Sequence, residues 1–188
     1  MGKFNIIPYF VNLMVFDNDK FSIDWKEAQN SIAKFLSQNS FEVWEERSLF
    51  NKRVDVLAKR SYRNKIFYLV FEVKHYNKVT PSAEEKFREQ LEEYLKLLIK
   101  RETERKSPKT IQDNYVFIGY LVLSKDYGIY LNRRKNWIKK RQFSDDYNLD
   151  IIWQRNVYLF CSSEKFIQSN LESLGLSFYS QSELSDFF

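Results

Sequence analysis

Cysteine is nearly missing from this chain: Cys161 is the only one among 188 residues. A single thiol excludes a disulfide framework and any multi-cysteine zinc or iron–sulphur site, and it points to an intracellular setting. In the stretch "VYLFC" it reads as a small buried apolar residue. Histidine is as scarce, so His75 could line a cleft but could not build a histidine metal site by itself. With 4 Gly and 3 Pro against 44% hydrophobic and 18% aromatic residues, the chain is neither low-complexity nor disordered, and no internal repeat is present. Long apolar runs are missing too. The opening "MGKFNIIPYFVNLMVFDNDK" is interrupted by Asn and Pro and has no small-residue cleavage site, so neither a signal peptide nor a membrane span is expected. What remains is a length suited to one packed domain and a modest excess of positive charge, +5, which permits a polyanionic partner.

The periodicities predict an α/β fold. "SIDWKEAQNSIAKFLSQN" spaces Trp25, Ala28, Ile32, Phe35 and Leu36 as a helix, with Ser22 or Asp24 as cap. "FEVWEE", "RVDVLAK" and "KIFYLVFEVK" are β-branched and aromatic runs separated by "SLFNK" and "RSYRN", which predicts an antiparallel meander. "TPSAEEKFREQLEEYLKLLIKRETER" opens with Thr80 as cap and Pro81 at the first helical position, and carries Phe87, Leu91, Tyr94, Leu95 and Leu98 on one face. "YVFIGYLVLS" reads as a long buried strand, with "GIYL" and "VYLFC" as shorter ones. "SSEKFIQSNLESLG" reads as a final helix capped by Ser162 or Ser163 and stopped at Gly175. The expected architecture is a mixed central sheet flanked by helices, in the order α-β-β-β-α-β. Residues 1–175 form the expected domain and 176–188 a C-terminal tail.

Two strands end oddly. "IFYLVF" runs into Glu72, Val73 and Lys74, and two residues apart on a strand places the acid and the ammonium on one face, about 7 Å apart. One strand earlier, Asp55 interrupts "RVDVLA"; strict alternation puts Val54 and Val56 on one face and Asp55 on the other with Arg53 and Leu57. Ions at the end of apolar strands cost free energy unless they pair or hold something. If the strands are neighbours, two carboxylates converge on rigid supports, a donor set suited to Mg²⁺ or Mn²⁺, and a nearby ammonium can hold water or offset charge on a phosphate. The alternative is a structural salt bridge.

Asp55, a loop and strand, then Glu72-Val73-Lys74, resembles the PD-(D/E)xK nucleases, the restriction-endonuclease-like superfamily, with Val54 in the place usually held by Pro. The helix that follows carries Gln90 and Tyr94 four apart, similar to the Q-x-x-x-Y element of the RecB-like branch; the branch's iron–sulphur members need cysteines this chain lacks. The resemblance implies that Asp55 and Glu72 bind metal, that Lys74 positions and activates water, and that Gln90 and Tyr94 support the site. In many relatives the first helix adds an acid, for which Glu27 is the best placed candidate. It further implies a metal-dependent deoxyribonuclease of the Holliday-junction-resolvase or flap and end-processing kind. A junction resolvase acts as a homodimer; an exonuclease need not.

Two more segments speak of partners. "NRRKNWIKKRQF" interleaves Arg133, Arg134, Lys135, Lys139, Lys140 and Arg141 with Trp137. Clustered cations neutralise phosphates and the indole can stack on an unpaired base, so this is the expected DNA surface. Nothing has helix-turn-helix or zinc-finger spacing. The ending "QSELSDFF" places Gln181, Leu184, Phe187 and Phe188 as in the PIP box, and this resemblance implies binding to a PCNA-type sliding clamp in an archaeal, eukaryotic or viral setting. The rival reading is a catalytically silent DNA-binding or clamp-adaptor module on the same fold.

Overall fold

The structure, a computed structural model, describes residues 24–49, 51–74, 80–123, 157–161 and 164–178. The basic segment at 132–143, the "GIYL" run, His75, and the tail from Gln181 to Phe188 lie outside the described residues.

Asp24 opens α1 (Trp25–Gln38) by accepting the amides of Lys26 and Glu27 at 2.7 and 3.2 Å, satisfying two of the donors that every helix start leaves unpaired. Strands β1 (Glu42–Leu49), β2 (Lys52–Tyr62) and β3 (Lys65–Lys74) follow as an antiparallel meander. The strands are longer and the connections tighter than the polar residues suggested. "RSYRN" is mostly strand, because Arg60 is buried with its guanidinium over the rings of Phe41 and Tyr62.

Thr80 caps α2 (Pro81–Thr103) through the Ala83 amide, with Pro at its start, where the missing N–H costs nothing. A short helix absent from the sequence expectation, α3 (Pro108–Asn114), is capped by Ser107 and leads into β4 (Tyr115–Leu123). Strand β5 (Val157–Cys161) and helix α4 (Glu164–Ser173) follow among the described residues. Gly175 ends α4 with φ 84, while the Leu176 amide reaches back to Leu171 O at 3.1 Å; only glycine takes that conformation without strain.

The sheet order is β1-β2-β3-β4-β5, antiparallel across the first three strands and parallel from β3 through β5. Helices α1 and α4 cover one face, where Ile32, Leu36, Ile167 and Leu171 meet Phe67, Leu69 and Phe71. Helices α2 and α3 cover the other, where Leu91, Leu95, Leu98 and Ile111 meet Tyr68, Val70 and Phe117. This is the expected mixed α/β architecture. Sandwiched on both sides, β3 is buried almost end to end, and each large apolar side chain so placed contributes about 1.5–3 kcal/mol. Gly119 on β4 lets α2 come close: a Cβ there would stand 2.8 Å from Leu95 Cδ1.

Two local expectations are corrected. Trp25 is the exposed large hydrophobic of α1, its ring beneath the Lys26 ammonium, and Gln29 takes a buried place on the helix stripe. The anchored chain also passes the boundary expected after Gly175. Leu176 is buried in the core, Ser177 shares a 2.6 Å hydrogen bond with the Tyr62 hydroxyl, and Phe178 stacks on Phe35. Among the described residues, no helix is long and apolar enough to cross a membrane.

Candidate metal and catalytic site

Backbone pairing explains why an acid sits in the middle of β2. The β2–β3 ladder runs from Tyr62 opposite Lys65 to Val56 opposite Phe71 and stops there. Pairing of β3 with β4 continues to Lys74 opposite Leu123. The next β2–β3 rung, Asp55 opposite Glu72, is absent, so the two strands fork at these two acids. The Asp55 carboxylate fills the gap by accepting the Val73 backbone N–H at 2.7 Å, a bond the ladder no longer supplies.

Alternation breaks at the same level. Val54 packs with Leu57 on the α2 side, whereas Val56 and Ala58 face α1. Val54 and Val56 therefore do not share a face, contrary to strict period-2 reading. The adjacent strand turns over in register: Glu46, opposite Asp55, forms no rung and has φ 52. A left-handed conformation at a non-glycine residue costs about 1 kcal/mol or more. Here Glu46 is held by ion pairs to Arg53 and to Lys26, the latter at 3.3 Å.

Glu72 lies on the α2 side of β3 and is fully buried. Its Oε1 is in ion-pair contact with the Lys74 ammonium, while Oε2 is buried with no hydrogen-bond partner. Burial, and then the negative charge of Asp55, push the Glu72 carboxyl up to about 7, against the opposing pull of Lys74. Asp55 is also raised, by burial first, with the Val73 amide, Lys74 and Arg53 working the other way. Lys74 is partly exposed and packs over the Phe87 ring, its ammonium 5.5 Å from the centroid.

Helix α2 closes the site from above. Tyr94 is buried, accepts a hydrogen bond from Gln90 and donates one to the Arg53 carbonyl at 2.7 Å, tying the helix to the strand that carries Asp55. Burial leads the shift of the Tyr94 hydroxyl up to about 12, with added push from the charges of Glu72 and Asp55. The Gln–Tyr pair thus acts on the backbone two residues before Asp55. From the other face, Gln29 donates to the Asp55 carbonyl and to Glu45 Oε2, both at 3.2 Å, leaving its own Oε1 buried without a partner.

Asp55, Glu72, Lys74, Gln90 and Tyr94 are therefore brought to one end of the sheet. Glu27 is not among them: it is exposed in the first turn of α1, and the α1 side chain turned to β2 is Gln29. Its signal in the sequence was a polar residue one place after Ala28, on the apolar stripe. Among the described residues, no three acidic, histidine or cysteine side chains are grouped for a metal. The fit to a hard divalent ion rests on two carboxylates: Glu72 has a buried Oε2 with no hydrogen bond, and Asp55, held at the same level of the neighbouring strand by the Val73 amide, is near enough for its charge to raise Glu72. Oxygen ligands few in number suit Mg²⁺, which keeps several waters. The chain matches no family model, no curated protein and no solved structure.

Proposed function

We propose that the chain is a Mg²⁺-dependent DNA nuclease of the PD-(D/E)xK kind, acting on branched or single-stranded DNA. The observation that carries this reading is the fork itself: two acids from adjacent strands stand at the level where pairing stops, the charge of one raising the other, and an ammonium touches the more buried one. The element order α1-β1-β2-β3-α2-β4, with the α3 turn inserted, supports it, as does the Gln90–Tyr94 pair over the site.

In this mechanism Asp55 and Glu72 would hold the ion. When bound, Mg²⁺ supplies positive charge to phosphoryl oxygens and makes its water more acidic. Lys74 donates from its ammonium to the attacking water or a phosphoryl oxygen and offsets charge that builds on the phosphate. Gln90, Tyr94 and Gln29 keep the Asp55 segment of β2 fixed relative to β3, which preserves alignment of the two acids. The basic stretch with Arg133, Arg134, Lys135, Trp137, Lys139, Lys140 and Arg141 supplies the DNA-binding surface in this proposal. Gln181, Leu184, Phe187 and Phe188 recruit the enzyme to a PCNA-type clamp.

The test is cleavage of labelled four-way, flapped, single-stranded and plain duplex DNA by the purified full chain. Cutting of a branched or single-stranded substrate with Mg²⁺, abolished by chelation and by Asp55→Asn, is expected. No cutting of any substrate with Mg²⁺ or Mn²⁺ would overturn the enzyme reading and favour the clamp-adaptor rival.

A further inference from the structure

We infer that Phe87 is a positioning residue for Lys74, its ring being the seat to which the ammonium withdraws when a divalent cation takes Glu72. The inference rests on the metal-dependent reading above and adds a residue to it. Lys74 is the group that meets the buried Glu72 carboxylate. A divalent ion on the same carboxylate and an ammonium in contact with it are like charges in a poorly solvated place, so one must move. Lys74 is tethered at the end of β3 and already stands over the Phe87 ring, 5.5 Å from its centroid and inside cation–π range, so on release from Glu72 it can close on that face instead of turning into solvent.

An aromatic face suits this task in a way a carboxylate would not. It attracts the cation through its quadrupole without using up the ammonium's hydrogen-bond donors, which stay available for water and phosphate oxygens. The ring is held in place by its helix. Phe87, Gln90 and Tyr94 lie at i, i+3 and i+7 on one face of α2, and the Tyr94 bond to the Arg53 carbonyl fixes the helix relative to the strands.

The experiment follows the side-chain methylene next to the Lys74 ammonium by NMR in full-length protein labelled in lysine, assigned by its loss in Lys74→Met. Wild type, Phe87→Leu and Phe87→Tyr are titrated with magnesium chloride alone, and single-turnover cleavage is measured separately. In wild type and Phe87→Tyr, the signal is expected upfield from ring current and further upfield with magnesium; in Phe87→Leu both effects vanish. Cleavage falls about tenfold in Phe87→Leu and recovers in Phe87→Tyr, and magnesium affinity by calorimetry weakens in Phe87→Leu and recovers in Phe87→Tyr, because the seat favours the metal-bound arrangement. Equal Lys74 shifts in wild type and Phe87→Leu, no magnesium response in wild type, or equal impairment of the Leu and Tyr variants would each overturn the seat. Shifts as expected with no cleavage by wild type would uphold the seat and defeat the nuclease reading.

Discussion

The Asp55 carboxylate accepts the backbone N–H of Val73 at 2.7 Å, across a level of the sheet where β2 and β3 have stopped pairing. That bond places an acid from one strand beside the acid of the next while sparing the amide between Glu72 and Lys74 from going unsatisfied. Asp55 is thus structural, and in the proposed enzyme it would be chemical as well: the carboxylate that fills the fork is one that would hold the ion.

Removing Lys74 should cost more than activity. With Glu72 fully buried, Lys74→Ala strands a carboxylate without its counter-charge, and the expected destabilisation is on the order of 3 kcal/mol above neutral pH. Cleavage should fall by about 100-fold or more. Adding Glu72→Gln to Lys74→Ala should restore most of the stability and none of the cleavage. Urea unfolding of the three variants decides it; an unaltered midpoint for Lys74→Ala would mean that Glu72 is solvated.

The pH dependence of the metal-free protein has a definite sign. Glu72 is raised from 4.5 to about 7, so the folded chain binds a proton more tightly than the unfolded chain across that window. Stability should therefore be greatest at the acid end and fall as pH rises from about 4.5 through 7, by roughly 3 kcal/mol from this group. Asp55, also raised, contributes in the same direction. Wild type minus Glu72→Gln, measured by urea unfolding at several pH values in chelator, should show this slope. Magnesium favours the ionised form, so its stabilising effect should grow above pH 7. A flat difference curve would rule out the shift.

Gly119→Ala should loosen the lid over the site. The new methyl would lie 2.8 Å from Leu95 Cδ1 and 3.1 Å from Leu91 Cδ2, forcing α2 outward at a cost of about 1–3 kcal/mol. Leu91 neighbours Gln90, so cleavage should drop along with the melting temperature. Shortening the neighbour in Gly119→Ala with Leu95→Val should cost less than the two single changes added together, as a double-mutant cycle would show.

Truncation should separate tail from domain at a defined place. A chain ending at Ser180 keeps Leu176 and Phe178 and should melt like the full protein, yet lose binding to purified PCNA in calorimetry. A chain ending at Gly175 discards both and should be destabilised by several kcal/mol. Equal clamp binding by the full chain and the chain ending at Ser180 would remove Gln181, Leu184, Phe187 and Phe188 from the proposed interface.

Periodicity and caps made most of the fold legible: Asp24, Thr80 and Pro81 mark helix starts, and the aromatic and β-branched runs mark strands. The α3 turn was missed because seven residues carry little periodicity, although Ser107 followed by Pro108 is a start signal. The grouping of Asp55, Glu72 and Lys74 could be read from strand adjacency. The break in alternation that separates Val54 from Val56 could not, because it depends on Val73's amide arriving from another strand. Likewise Gln29 rather than Glu27 faces β2 because the register of α1 against the sheet is set by Ile32 and Leu36 packing, which charge type alone does not report.

The docking of Ser177 on Tyr62 and of Phe178 on Phe35 limits reach. From Phe178 to Gln181 there are three residue steps, at most roughly 11 Å of extended chain. Tyr62 stands beside the β2–β3 turn, six rungs from Val56, or about 20 Å along the sheet from the fork. A clamp gripping the tail would thus be leashed close to the hairpin end, with the carboxylates at the far end. If the proposed function holds, DNA threaded through such a clamp would have to travel the length of the sheet before reaching the two acids, and the spacing between ring and scissile bond would be set by the chain's own strands.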